Sequence, residues 1–81
     1  MNFELCKNKY FHVSEGNMNL EVNVTGNHLV YGLKTLAFES KKEASNFLNL
    51  LFTNMKNACD EKMSKKKARE FVSDMLDSVF N

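Results

Sequence analysis

Proline and tryptophan are absent from these 81 residues, and glycine occurs only three times. So few glycines exclude a Gly-rich phosphate loop, because Gly16, Gly26 and Gly32 are widely spaced and each falls where a turn or bulge needs one. Neither G-x-S-x-G nor H-E-x-x-H is present, and a chain this short has little room for an enzyme-sized concave pocket. A non-enzymatic protein is the expectation. Two cysteines, Cys6 and Cys59, cannot make a disulfide framework and fit a reducing compartment. The soft ligands are Cys6, His12, His28 and Cys59, at spacings that match no zinc pattern, so no metal and no cofactor is expected. A Cys6–His12 catalytic pair would lie about 20 Å apart along an extended strand.

Long apolar runs are missing too. The longest cluster, Phe47 to Phe52, is far too short to cross a bilayer. The stretch from Met1 to Lys7 has no cationic segment followed by an apolar one, which predicts no cleaved leader, no membrane partner and a cytoplasmic location. Net charge is only +1, so no partner is implied by the charge of the whole chain; only local patches carry such information. Arginine is nearly absent, with Arg69 alone against ten lysines. Together with abundant Asn, Lys and Phe, this is what an AT-rich genome encodes, and a compact AT-rich reading frame fits a bacteriophage accessory gene or a low-GC bacterium.

What is present reads as one small α+β domain over 1–81, with strands in 1–39 and helices over 40–59 and 64–80. The 43% hydrophobic and 26% charged content suits an ordinary folded protein with one modest core. Met18, Leu20, Val22 and Val24 alternate with Asn19, Glu21, Asn23 and Thr25, the period of two of an antiparallel strand with one wet face. Shorter strands surround Phe3 and Leu5, and Tyr10 to Val13. Gly26-Asn27 is a two-residue hairpin turn in which both residues tolerate positive φ. The chain returns with Leu29, Tyr31 and Leu33 on one face, and Leu36 and Phe38 then switch parity, so the strand bulges or turns at Gly32. The expected sheet has three or four strands, with two C-terminal helices packed on one face.

Ser40-Lys41-Lys42-Glu43 is a capping box at the first helix, whose apolar stripe is Ala44, Phe47, Leu48, Leu51, Met55, Ala58 and Cys59. A connector spans Asp60 to Met63. Ser64 caps the last helix, with Ala68, Phe71, Val72, Met75, Leu76 and Val79 on its apolar face.

The charges of this last helix run against its dipole. Lys62, Lys65, Lys66, Lys67 and Arg69 crowd its start, while Asp74 and Asp77 lie near its end. Each misplaced exposed charge costs roughly 0.3–1 kcal/mol, so the cluster is a candidate site for an anionic partner. Arg69, the lone guanidinium, is the best anchor for a bidentate contact. Glu70, Asp74 and Asp77 form an acidic stripe on the same helix, which disfavours a duplex backbone and favours a protein partner.

Ser40-Lys41-Lys42-Glu43-Ala44 and Ser64-Lys65-Lys66-Lys67-Ala68-Arg69 each resemble the Lys-Lys-x-Ala-Lys helix start of the double-stranded RNA-binding domain. That resemblance implies a three-stranded antiparallel sheet followed by a phosphate-contacting helix. It covers about a dozen residues. The family's opening helix is missing, a second C-terminal helix is present, and Asn46-Phe47 replaces the family's small Ala-Ala pair, so membership is not inferred.

Tyr10, Phe11, Tyr31, Leu50, Phe52 and Phe80 exceed what a small two-layer core must hold, and as a group they mark an association surface. The reading is a macromolecule-binding protein of the phage accessory type that inhibits or redirects a host protein by occlusion. Tyr31 and Phe52 serve as central anchors, and Lys62, Lys65, Lys66, Lys67 and Arg69 form the rim. The alternatives are a nucleic-acid-binding module using the basic helix start, with Lys41 and Lys42 as a second patch, and a structural homodimer.

Overall fold

The computed structural model describes residues 1–59 and 62–81, so half of the connector, Asp60 and Glu61, lies outside the described residues. Five strands come first: β1 (Asn2–Cys6), β2 (Tyr10–Glu15), β3 (Met18–Thr25), β4 (His28–Tyr31) and β5 (Lys34–Ala37). Two helices follow, α1 (Lys41–Ala58) and α2 (Lys65–Phe80). The strands form one antiparallel meander in the order β1-β2-β3-β4-β5. The class is α+β.

The sheet has five strands rather than three or four because the break at Gly32 is a full hairpin turn. Tyr31 pairs with Lys34, leaving only Gly32 and Leu33 between the strands. Gly32 has φ +61° while Leu33 does not enter the positive region. Positive φ at the first central residue alone is the pattern of a type II′ turn, which wants Gly first and makes no such demand on the second position. Leu33 is therefore permitted at a turn tip, where it is fully exposed instead of facing inward beside Leu29 and Tyr31. The Gly26-Asn27 turn follows the same rule, since only Gly26 takes positive φ.

Strand parity carries the core across the meander. Phe11 pairs with Val22, Val24 with Leu29, and Leu29 with Leu36. Phe11, Val13, Val22 and Leu29 are wholly buried, together with Leu48 and Met55 of α1 and Val72 and Leu76 of α2. Phe52 of α1 meets Phe3 edge-on at 6.0 Å and Phe11 at 5.6 Å between ring centroids. Tyr31 meets Phe80 of α2 at 5.4 Å. Burying each such side chain contributes about 1.5–3 kcal/mol, so these contacts seat the helices. Of the α1 stripe Ala58 alone is exposed, while Cys59 at the helix end is half-buried against the core.

Candidate binding surfaces

Both helices start as their sequences require. Ser40 Oγ accepts from the Glu43 N–H at 3.1 Å, and Ser64 Oγ accepts from the Lys67 N–H at 3.2 Å. The reciprocal arm of the first box reaches one residue further back, with Glu43 Oε2 accepting from the Glu39 N–H at 3.3 Å. What the sheet places opposite the two starts differs.

The start of α2 lies against the β2–β3 turn. Lys65 Nζ stands 3.8 Å from Glu15 Oε1, and the Met1 ammonium stands 2.8 Å from Glu15 Oε2. A Cβ built on Gly16 would lie 3.8 Å from Arg69 Nη1, which places the guanidinium over the same turn. The Glu15 carboxyl is held below its ordinary pKa, chiefly by the hydrogen bond from the Met1 ammonium, against a smaller opposing effect of desolvation, with Lys65 and Arg69 adding attraction. At its other end α2 meets the β4–β5 turn, where Asp77 Oδ1 is 3.9 Å from Lys34 Nζ. The inverted charges thus complement the sheet rather than the helix dipole. Turning α2 end for end would put Asp77 against Glu15 and the basic start against Lys34. Exposed pairs contribute only about 0–1 kcal/mol each, comparable to the dipole penalty, so the arrangement chooses a direction for α2 more than it stabilises it.

Of the seven residues singled out for partner contact, Phe52 is only 7% exposed and belongs to the core. Tyr31 is half-buried against Phe80, and burial, with a lesser contribution from Asp77, raises its phenol pKa. Lys65 and Arg69 face Glu15. Lys66 and Lys67 are exposed, and Lys62 and Lys67 line a shallow recess of about 420 Å³ with Met63 and Ser64. The surplus apolar group divides in the same way: Phe11, Phe52 and Phe80 are core, whereas Tyr10 and Leu50 are exposed.

The start of α1 gathers residues that sequence spacing did not connect. Asn8, at the tip of the β1–β2 turn, takes φ 69°, a conformation that Asn tolerates better than most side chains. Its N–H donates to Asn49 Oδ1 at 3.2 Å, and Asn49 Nδ2 donates to Asn8 Oδ1 at 2.8 Å. The Ser45 hydroxyl, buried in α1, donates to the Asn8 carbonyl at 3.5 Å. These bonds tie the turn to the helix and hold Lys7 and Lys9 beside Lys41 and Lys42. A cleft of about 590 Å³ opens between them, lined by those four lysines with Asn8, Ser45 and Asn46. Among the described residues, no carboxylate lines it. The only sequence signal for it was the pair Lys41 and Lys42; the approach of Asn8 to Asn49, 41 positions away, is invisible to local pattern.

Next to this cleft, sharing Asn46, is an apolar hollow of about 350 Å³ lined by Phe38, Glu43, Phe47 and Leu50. The rings of Phe38 and Phe47 pack with centroids 5.2 Å apart, tilted by 42° to one another. Phe38 is fixed by the β3–β4 turn, its N–H donating to the Asn27 carbonyl at 2.8 Å and its carbonyl accepting from Asn27 Nδ2 at 2.6 Å. Leu50, at the edge of the hollow, is 56% exposed.

Among the described residues, no group of three or more His, Cys, Asp or Glu side chains is placed to hold a metal ion. Burial raises the Cys59 thiol pKa, which works against thiolate chemistry there. No helix among the described residues is long and apolar enough to cross a membrane. No protein-family model, no curated protein and no solved structure matches this chain.

Proposed function

We propose that this protein is a non-enzymatic accessory protein of the phage type that binds a host protein and inhibits or redirects it by occlusion. In this reading both helices cover one face of the sheet, and the outer side of α1 meets the partner. The observation that carries it is the apolar hollow of Phe38, Phe47 and Leu50, where a large side chain is left in water beside a packed aromatic pair. An exposed apolar centre rimmed by polar groups is the anatomy of a protein interface. It supplies the anchoring role that Phe52, being core, does not.

The test is capture of partners from host extract, followed by reconstitution of the complex from purified components. A one-to-one complex is expected with the native protein and with Lys66→Ala/Lys67→Ala, and its loss is expected with Leu50→Asp. Reconstituted complexes indifferent to Leu50→Asp would remove the reading. Light scattering decides against the structural homodimer if the mass stays monomeric as concentration rises. A mass that doubles, and reverts with Leu50→Asp, would assign the hollow to a second copy. Turnover of any substrate by the pure protein would overturn the non-enzymatic assignment.

A further inference from the structure

We infer that the cleft between the β1–β2 turn and the start of α1 binds adjacent phosphate groups, those of a nucleic-acid backbone or of a free oligophosphate. The inference is independent of the apolar hollow and stands whether or not a host protein docks there. Its ground is a convergence of like charge that the fold creates and that, among the described residues, no carboxylate lining the cleft offsets. Lys7 and Lys9 come from a turn, Lys41 and Lys42 from a helix, and the four line one cleft of about 590 Å³ with no carboxylate among its lining residues. The other lysine-rich helix start differs on this point, because Glu15 faces Lys65 there.

Bringing four cations together is unfavourable for the free protein, and the turn is nevertheless clamped to the helix by the Asn8–Asn49 pair. A bound polyanion converts that repulsion into attraction. The side-chain amides of Asn8 and Asn46, which also line the cleft, add hydrogen-bond donors suited to phosphate oxygens. No aromatic ring lines the cleft, so bases find no stacking platform and no sequence preference follows. The cleft is open to solvent, so a polyanion can lie across all four lysines.

The test is fluorescence anisotropy with labelled 20-residue duplex DNA, single-stranded DNA and RNA at 50 and 200 mM salt, with inorganic tripolyphosphate as competitor. Four contacts at about 0.9 each give a log–log salt slope near −3.6 for duplex, or about a hundredfold weaker binding at the higher salt. Lys7→Ala/Lys9→Ala and Lys41→Ala/Lys42→Ala should each roughly halve that slope. Lys66→Ala/Lys67→Ala, matched in charge and also in the first turn of a capped helix, should leave it unchanged. All six lysines are exposed, and thermal melts check that each variant folds. Displacement of the polymers by tripolyphosphate at micromolar concentration, or binding of tripolyphosphate alone, identifies a free oligophosphate as the ligand. Polymer binding that resists it identifies the backbone. The inference is overturned if no phosphate probe binds at 50 mM salt, if the three lysine pairs lose equally, or if poly-glutamate binds as tightly as the phosphates. Leu50→Asp separates the two proposals, since it should abolish a host-protein complex and leave phosphate binding intact.

Discussion

The starts of α1 and α2 are written in nearly the same residues and do different things. Each opens on a serine that caps the third residue of its helix, and each continues with consecutive lysines. At α2 the sheet presents Glu15, and the basic residues are used to orient the helix. At α1 the β1–β2 turn presents Lys7 and Lys9, and the charge accumulates around a cleft. A run of lysines therefore has no fixed meaning. The element folded against it decides whether it is a structural pairing or a site.

The largest effect is expected from unseating α1 altogether. Phe52→Ala removes the ring that meets Phe3 and Phe11, a core truncation that costs about 3–5 kcal/mol. A small domain has only about 5–15 kcal/mol in total, so the urea midpoint should collapse and the cleft with it. An unchanged midpoint would mean that Phe52 is a surface anchor after all. A smaller loss follows from opening the clamp. Asn49→Ala deletes both side-chain bonds to Asn8 and should cost about 1–2 kcal/mol. It should also free Lys7 and Lys9 to move apart, and amide hydrogen exchange at Asn8 and Lys9 should rise while the end of α2 is unaffected. Equal exchange at the two sites would erase the contrast between the helix starts.

The difference between these sites shows where sequence reading succeeds. Periodicity gave β3 its faces, and two serine caps placed both helices to within a residue, because each signal is local. The fifth strand was hidden by Leu33, which looks like a strand residue and occupies a turn position that places no demand on side-chain type. The α2 cluster was legible as an anomaly, but its explanation lies in Glu15, half the chain away. The cleft was half legible, as Lys41 and Lys42. Its other half depends on register through β1 and β2 and on an Asn–Asn pair that no spacing rule predicts.

Acid titration probes the α2 side of the comparison. Glu15 has a lowered folded pKa, so its contribution is fully present above the unfolded value of about 4.5 and is lost as pH falls through the folded value. Glu15→Gln should make stability less dependent on pH in that window and leave the neutral-pH fold unchanged. A native protein and variant with parallel pH profiles below 4.5 would show that Glu15 is not held by its cationic neighbours.

The smallest effect comes from the far end of α2, and it separates pairing from dipole. Asp77→Lys alone places a cation at the helix C-terminus, which favours it by about 0.3–1 kcal/mol, but sets it against Lys34. The repulsion is of similar size, so the net change should be near zero. Adding Lys34→Glu restores an opposite-charge pair and keeps the dipole gain, so the double variant should exceed the native protein by about 0.3–1 kcal/mol. If the single and double variants melt together, Lys34 and Asp77 do not interact, and the orientation of α2 rests on Glu15 alone. If the double variant is no better than the native protein, the dipole term is negligible here, and the inverted charges of this helix cost nothing that the sheet needed to offset.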